Sequence, residues 1–424
     1  MVLIFLVLFI KSDLYEVFAK PAYLFMLLVL LATIFIAPNV KGSHSWIVIG
    51  SVRVQPAEFA KLTTALMLAH LMGQFGFKLH GWRTYAKLFA TILVPMGIII
   101  LQSEAGSALV FLSFFLVLYR EGMTGFFLGV GTLLVLLFVS ALSLSGDMWG
   151  SISADHLMVS LIILGAMLIL MGIYTRRNRL FVRISLIAAL VLSAGYFVAK
   201  YLLPFNYAYV TMGVLGVLIV FCLVKAVKHY SGRFLLIAAT GLVALGFSFS
   251  VKYVYEEVLK PHQQMRIAVA LGLEKDLKGV GYNVHQAEIA IGSGGLVGKG
   301  FMGATQTKLN YVPEQETDFI FCTVAEEYGF LGATTLLLIY LALILRLMHL
   351  AGESHSAFCR IYGYCVACIL LMHIIINIGM VLGLVPVIGI PLPFCSYGGS
   401  SLWSFTLMLF IFLRLQADDK LSRH

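Results

Sequence analysis

Charged side chains are scarce in this sequence of 424 residues. Asp, Glu, Lys and Arg make up 12% of it and hydrophobic residues 61%, whereas soluble domains carry about twice that share of charge. The mean hydropathy of +0.98 points the same way. This composition excludes a soluble globular protein and predicts an all-α polytopic membrane protein made mainly of apolar helices.

Acidic residues are outnumbered as well, since 20 Asp and Glu stand against 29 Lys and Arg, for a net charge of +9. In a soluble protein this excess would suggest nucleic-acid binding. Here most basic residues lie in short loops between apolar segments, as expected of cytoplasmic loops, and no aromatic and basic surface is left for nucleic acid.

Cysteine is also rare. Cys365 and Cys368 form a CxxC inside an apolar segment, which favours packing over a redox or metal role.

Long apolar runs are abundant. A helical span needs about 20 residues, and thirteen segments are candidates, of which 1–10 is too short and 107–119 is marginal. We therefore expect about twelve full spans and a partial N-terminal one. Residues 1–10 lack the cationic start and cleavage site of a signal peptide, so we expect the chain to begin within a span. The candidate segments are 1–10, 21–37, 56–74, 85–101, 107–119, 124–144, 157–174, 184–203, 208–226, 235–253, 319–345, 361–385 and 402–414.

Basic residues assign the predicted loops to two sides of the membrane. They concentrate in alternate short loops, which are therefore cytoplasmic. The opposite side receives the long polar loop 254–317. No repeat of fixed period is present, and we predict a single membrane domain over 1–424 with 254–317 as its extracytoplasmic loop.

Glycine is concentrated in the polar stretch Gly281–Glu327. Its cluster Gly292–Gly300 contains Lys299, but Gly300 follows where a nucleotide-binding Walker loop needs Ser or Thr, and the loop faces outside, which argues against nucleotide. Two interpretations stay open: a backbone nest that cradles a phosphate or pyrophosphate together with Lys299, or a tight turn between surface helices. On the first interpretation, 281–310 forms a lid and phosphate cradle.

Carboxylates lie where this polar stretch runs into an apolar segment. Thr317 or Asp318 is placed to cap the next helix, so a structural role competes with a catalytic one. Glu326 lies about 12 Å deeper in the helix, where a carboxylate is costly and usually paired or functional.

A second polar group stands near the start of the chain. Glu58 and Lys61 are three residues apart at the head of a predicted helix, so they share a face, and a simple intrahelical salt bridge is the open alternative to a functional role. Gln102–Ser107 (QSEAGS) also faces outside. These distant elements together predict a polar site on the extracytoplasmic side.

These motifs resemble those of the SEDS family (shape, elongation, division and sporulation). The resemblance extends over nearly the whole chain, and the stretches Gly303–Leu309 and Ile390–Phe394 resemble its elongation (RodA-like) branch rather than its division branch. The motifs that carry it are Gln55–Lys61, Gln102–Ser107, Ala290–Gly300, Tyr311–Glu327 and Gly383–Ser401.

The resemblance implies a peptidoglycan glycosyltransferase of the bacterial inner membrane, with its active site outside the cytoplasm and a role in cell elongation, cell shape or division. Its substrate would be lipid II, a disaccharide-pentapeptide on undecaprenyl pyrophosphate. Its partners would be a class B penicillin-binding protein and other elongation-complex membrane proteins. Family members have about ten spans, so the four predicted over 145–253 are expected to be additional.

Position by position, the resemblance implies that Asp318 is the catalytic carboxylate. We therefore expect Glu58, Lys61, Trp46 and Glu316 at the substrate. Trp46 and Lys41 match a tryptophan and a lysine of a further family motif. Departures from the family pattern include Glu316 in place of a histidine and Ser45 in place of an arginine. The charge of Glu316 either makes Asp318 more basic or strengthens cation binding.

As a hypothesis, Asp318 acts as general base on the acceptor sugar. The leaving pyrophosphate requires positive charge, for which Lys61, Lys299, Lys308 and Arg266 are candidates and a divalent cation (Mg²⁺ or Mn²⁺) is an alternative. No nucleotide is expected. Two other functions stay open: a lipid II flippase or transporter, whose signature would be broken helices and a midplane site, and a non-catalytic scaffold for the penicillin-binding protein.

Overall fold

The structure is a computed structural model in which most of the described chain is helical. It describes residues 2–38, 43–50, 52–79, 81–145, 147–149, 152–174, 178–201, 205–259, 261–271, 273, 280–309 and 311–421. The chain divides into two compact units, residues 1–124 with 276–424, and residues 125–275. The second unit contains the four spans predicted over 145–253. That these spans are additional to the family pattern stays a prediction.

The first unit consists of ten helices and one short antiparallel hairpin in the described residues. Its elements are α1 (Val2–Phe9), α2 (Ser12–Ile36), β1 (Ile47–Ile49), β2 (Val52–Val54), α3 (Pro56–Gly73), α4 (Trp82–Leu101), α5 (Ala105–Val110), α6 (Ser113–Arg120), α13 (Val280–Gly294), α14 (Ile320–Glu353), α15 (Ala357–Val381) and α16 (Gly399–Leu421). In the hairpin, Ile47 pairs with Val54 and Ile49 with Val52.

Two helices form the centre of this unit. Most side chains of α15 are buried, and the helix packs against α3, α14, α16 and α6. Its start is held by Asp419 of α16, whose carboxylate accepts the backbone N–H groups of His355 and Ser356 at 2.9 and 2.8 Å. The other central helix, α3, begins with Pro56 at a position where a missing N–H costs nothing.

The second unit is a helical bundle. Its elements are α7 (Phe126–Ser143), β3 (Met148–Trp149), β4 (Ile152–Ser153), α8 (Ala154–Tyr174), α9 (Asn178–Tyr201), α10 (Ala208–Lys228), α11 (Gly232–Tyr253), a π-helical turn (Val254–Val258) and α12 (Pro261–Ala270). Leu137, Ile163, Met167 and Leu215 are among the buried residues that join α7, α8, α10 and α11 in one core. Lys252 of α11 pairs with Asp155 of α8 at 2.5 Å.

Ten helices in the described residues are long and apolar enough to cross a membrane. Two predicted spans are not among them. α3 falls outside because polar side chains interrupt its apolar sequence, and the marginal segment 107–119 is broken into α5 and α6. The chain is thus a multi-pass membrane protein, and twelve as its number of spans stays a prediction.

The polar loop 254–317 is partly helical in the described residues. It contains α12 and α13, so the first half of the stretch 281–310 is helical. A role of this stretch as a lid stays a prediction. α13 packs against α14 through small residues, and a Cβ added at Gly294 would overlap the carbonyl oxygen of Ala325.

Candidate functional site

A buried ion pair lies in the first two turns of α3. Lys61 Nζ is 2.7 Å from Glu58 Oε1, and the side chains are 0% and 1% exposed. The salt bridge that their spacing allows is therefore present, and both groups are buried. The second oxygen, Glu58 Oε2, accepts no hydrogen bond from the described residues. A buried acceptor without a partner is costly, and a donor brought by water or substrate would remove that cost.

His373 of α15 extends the pair. Its Nε2 lies 2.7 Å from Lys61 Nζ, and its Nδ1 lies 3.2 Å from the carbonyl oxygen of Pro391. An ammonium group can only donate, so Nε2 must accept, and the proton on Nδ1 is donated to Pro391. His373 is therefore neutral in this arrangement and links α3 to the chain after α15.

α16 covers the same group from another side. Ser404 donates its hydroxyl to the carbonyl oxygen of Glu58 at 2.7 Å. The ring of Phe405 packs edge-on against His373, with centroids 4.8 Å apart, and lies 5.8 Å from Lys61 Nζ. Three helices distant in sequence thus enclose the buried charges.

The segment Ile388–Pro391 connects this buried group to Asp318. Asn377, one helical turn after His373, donates from Nδ2 to the carbonyl oxygens of Ile390 and Asp318 at 2.7 and 2.8 Å. At Gly389, which has φ +66°, an added Cβ would lie 3.3 Å from Asp318 Oδ2. The segment therefore contacts Asp318 on one side and accepts the hydrogen bond of His373 on the other.

The QSEAGS motif packs on the same segment. A Cβ added at Gly106 would lie 2.5 Å from the carbonyl oxygen of Ile388, so only glycine permits this approach. Gln55 Nε2 is 3.4 Å from Ser107 Oγ, which ties the motif to the start of α3. The predicted convergence of these polar elements is thus present in the structure.

Glu104 of this motif meets the chain before β1. Its Oε2 accepts a hydrogen bond from Ser45 at 2.9 Å, and Ser45 contacts Ser43 at 3.0 Å. Burial raises the pKa of the Glu104 carboxyl, partly offset by its hydrogen bonds. Trp46, predicted to bind substrate, is half-buried next to Ser45. Lys41 lies outside the described residues.

Asp318 is half-buried in a turn that precedes α14. The carbonyl oxygen of Glu314 accepts the backbone N–H groups of Thr317, Asp318 and Phe319 at 3.2, 3.0 and 3.2 Å. The helix begins at Ile320 with Phe319 at the N-cap position. The capping interpretation of Thr317 or Asp318 is therefore wrong, because the turn around Glu314 delays the helix by one or two residues.

Glu316, also predicted to act at the substrate, has an exposed side chain. Its carbonyl oxygen accepts the backbone N–H of Tyr397 at 2.8 Å. The turn that carries Asp318 is thus attached to the chain just before α16, which is a second fixed point besides the 388–391 segment.

The glycine cluster fills a break in α14. Gly329 has φ 65° and ψ −163°, which interrupts the helical ladder. Phe330 and Leu331 donate instead to the carbonyl oxygens of Gly295 and Leu296, at 2.9 and 3.1 Å. In return, the carbonyl oxygens of Glu326 and Glu327 accept from the residues at 299 and 300, at 3.1 and 2.9 Å.

This exchange decides between the two interpretations of the glycine cluster. The N–H of Gly298 bonds to Gly294 at 2.9 Å, so the backbone donors at 298–300 are all used inside the protein. The arrangement corresponds to a tight turn between helices rather than a phosphate nest. The glycines are required because α14 approaches so closely that a Cβ at Gly298 would overlap the carbonyl oxygen of Glu327.

The proposed cations differ in their availability. Lys299 Nζ pairs with Glu326 Oε1 at 2.7 Å and also contacts Ser293 and Thr305. Lys308 is exposed, with Nζ 3.4 Å from the carbonyl oxygen of Met302. Arg266 lies in α12, and its side chain is outside the described part of the structure.

A divalent cation finds no ready protein site in the described residues, where no three His, Cys, Asp or Glu side chains group together. Magnesium at phosphate substrates is usually held by one or two carboxylates and the phosphates, and the cation stays a prediction. Cys365 and Cys368 are free thiols, buried and half-buried, in agreement with a packing role.

Two residues of the site were not predicted from the sequence. His373 and Asn377 lie four apart in the apolar segment 361–385, on one face of a helix. Polar residues at membrane depth are usually functional, and this spacing was the available signal. Their partners, however, lie in irregular chain whose position no periodicity predicts.

Apolar helices around a buried polar centre define the class as a multi-pass membrane protein with an internal charge network. The chain belongs to the family FTSW_RODA_SPOVE, described as cell cycle protein, whose sequence model matches residues 1–149 and 157–421. The predicted family is thereby confirmed.

Named relatives and a solved structure agree with this assignment. The peptidoglycan glycosyltransferase RodA of Treponema pallidum is 30% identical over 397 residues, which are 92% of this chain and 81% of that protein. The peptidoglycan glycosyltransferase MrdB of Escherichia coli is 44% identical over 145 residues, 34% of this chain and 39% of that protein. A chain in a structure of a peptidoglycan synthase complex matches with a TM-score of 0.59 at 23% identity, over 99% of this chain and 86% of that chain, which supports the fold.

Proposed function

We propose that this protein is a peptidoglycan glycosyltransferase that polymerises lipid II into glycan strands during cell elongation. The relatives named for this activity include one that matches 92% of the chain. The observation that carries the proposal is the position of Asp318: a half-buried carboxylate in a turn held by Asn377 and packed against Gly389.

In the proposed reaction, Asp318 takes the proton of the acceptor sugar's 4-hydroxyl group as general base. The hydroxyl oxygen then bonds to the anomeric carbon of the donor, the bond from that carbon to the phosphate oxygen breaks, and undecaprenyl pyrophosphate leaves with inversion. Lys299 and Lys308 are both exposed. Because Lys299 is paired with Glu326 whereas Lys308 contacts only the carbonyl oxygen of Met302 in the described residues, Lys308 is better placed to meet the pyrophosphate.

Glu58 and Lys61 contribute indirectly in this proposal. Both are buried, and their link to the reacting groups runs through His373 and the carbonyl oxygen of Pro391. They keep the 388–391 segment in place, and that segment supports Asp318. The protein would reside in the bacterial inner membrane with Asp318 on the extracytoplasmic side, next to a class B penicillin-binding protein.

A lipid II flippase is a second candidate, and one observation favours it. α14 is a broken helix, and broken helices mark substrate sites in transporters. Against this, the glycine cluster uses the backbone groups that the break at Gly329 releases, through its bonds to Phe330, Leu331 and the carbonyls before the break. The break therefore offers few free groups to a ligand.

The test compares the wild-type protein with Asp318→Asn, each purified with a penicillin-binding partner and supplied with lipid II. We expect polymer from the wild type and a loss of at least about a hundred-fold in the variant, as for removal of a general base. A variant that folds and still polymerises would rule out Asp318 as base. Translocation of lipid II without polymer would identify a flippase, and neither activity would identify a scaffold.

A further inference from the structure

Glu326, a buried carboxylate that takes no part in the proposed reaction, binds the segment 305–307, which precedes Asp318 in the chain. Glu326 is 0% exposed and lies in the second turn of α14. Its Oε1 accepts the backbone N–H groups of Thr305 and Gln306 at 2.8 and 2.9 Å, and its Oε2 accepts that of Thr307 at 3.0 Å. Three consecutive backbone donors thus converge on one carboxylate, as in an anion-binding nest.

Side chains complete the arrangement. The hydroxyl groups of Thr305 and Thr307 donate to Glu326 at 3.2 and 2.9 Å. Lys299 Nζ donates a hydrogen bond to Glu326 Oε1 at 2.7 Å, and Ser293 Oγ lies 3.5 Å from the same oxygen. Hydrogen bonds to a charged acceptor are stronger than neutral ones, so residues 305–307 are firmly attached to α14.

The attachment turns the chain before α14 into a closed loop. The turn continues from the attached residues, because Leu309 donates to Thr305 at 3.2 Å and Tyr311 to Gln306 at 3.0 Å. The chain then passes Val312, which is buried in one cluster with Phe319, and returns to the head of α14. The loop 308–319, in the residues that the structure describes (308–309 and 311–319), is therefore attached to the same helix at both ends: by Glu326 at its start and by the covalent chain at its end.

We propose that Glu326 is a positioning residue, which closes the loop 308–319 on α14 and thereby sets the place of Asp318. The proposal rests on the function proposed above. A displaced general base lowers the rate steeply, since a shift of about 1 Å can cost about a hundred-fold. Binding of lipid II through its lipid tail and peptide would change little.

The neighbouring residue supplies a matched control. Glu327 accepts a hydrogen bond from the N–H of Met302 at 3.1 Å and takes no part in the attachment of 305–307. Glu326→Gln places an amide against several N–H donors and breaks the arrangement, whereas Glu327→Gln removes the same charge one residue away. Thr307→Val is a milder third variant, because it deletes one hydroxyl donor and keeps the shape.

The experiment measures kcat and KM for lipid II, the melting temperature, and amide hydrogen exchange of residues 305–311 in the purified complex. For Glu326→Gln we expect kcat to fall about a hundred-fold, KM to stay within about two-fold, and exchange at 305–311 to rise at least about ten-fold. Thr307→Val should move kcat and exchange in the same directions by smaller factors. Glu327→Gln should match the wild type.

Several results would overturn the proposal. One is faster exchange at 305–311 with unchanged kcat, in Glu326→Gln or, if that variant does not fold, in Thr307→Val. A second is exchange unchanged in the folded variants, and a third is a fall in kcat equally large in Glu327→Gln. If the wild type makes no polymer, the proposed function fails, whereas the exchange measurement still reports whether Glu326 holds residues 305–307.

Discussion

Lys61 and His373 are 312 residues apart in the sequence, yet Lys61 Nζ donates a hydrogen bond to His373 Nε2 at 2.7 Å. This bond places a charge of α3 against a neutral imidazole of α15. It also links the buried pair, through the hydrogen bond from His373 to the carbonyl oxygen of Pro391, to the segment that contacts Asp318.

Removal of Lys61 should destabilise the protein strongly. In Lys61→Met the carboxylate of Glu58 stays buried without its cation, so we expect the free energy of unfolding to fall by about 3–5 kcal/mol. The double variant Glu58→Gln with Lys61→Met should lose less than this single variant, because no uncompensated charge remains. Reversible unfolding in mixed micelles measures both.

A surface histidine provides the control for that experiment. His349 pairs with Glu353 at 3.2 Å, with the side chains 60% and 46% exposed, so His349→Gln should change the unfolding free energy by less than about 0.5 kcal/mol. Equal stabilities for Lys61→Met and His349→Gln would contradict the burial argument.

Substitution of Gly389 should affect activity more than stability. Gly389→Ala places a Cβ 3.3 Å from Asp318 Oδ2 at a φ of +66°, and the backbone strain costs about 1 kcal/mol. We expect the polymerisation rate to fall about ten-fold or more, because the carboxylate must move. Gly97→Ala in α4, where nothing lies within 4 Å, should leave the rate unchanged. Wild-type rates for Gly389→Ala would show that this contact does not position Asp318.

The two glycines 295 and 298 separate backbone strain from steric overlap. Both have positive φ, +58° and +85°, but a Cβ at Gly295 meets nothing within 4 Å, while one at Gly298 overlaps Glu327. Gly295→Ala should cost about 1 kcal/mol of unfolding free energy, and Gly298→Ala more than about 2 kcal/mol. Amide exchange at Phe330 and Leu331 should rise only in the second variant. Similar costs for both would mean that the glycine cluster does not fill the break in α14.

Much of the fold could be predicted from the sequence. Apolar runs of 18 residues or more predict helices wherever lipid is the solvent, because the backbone has no other partner there. The predicted segments therefore correspond to the helices α1 to α11 and α14 to α16. The helix α13 was not predicted, because it lies in the polar stretch 281–310, where no apolar run marks a helix.

The site was predicted in part. The contact between Glu58 and Lys61 could be anticipated because the two residues lie within one helical turn, where spacing alone brings side chains together. Lys299 was linked to a phosphate because a glycine-rich cluster with a lysine has that use in other proteins. Its partner here is Glu326, 27 residues away, and only the path of the chain brings the two together.

The sequence by itself determined the membrane class, the family and the positions of the polar motifs, because these depend on local composition and on residue order. The tertiary structure decided which of these groups meet. The 388–391 segment lies between Asp318, Asn377 and His373, and the glycine cluster fills the break at Gly329, because backbone groups buried away from water must find partners wherever the folded chain supplies them.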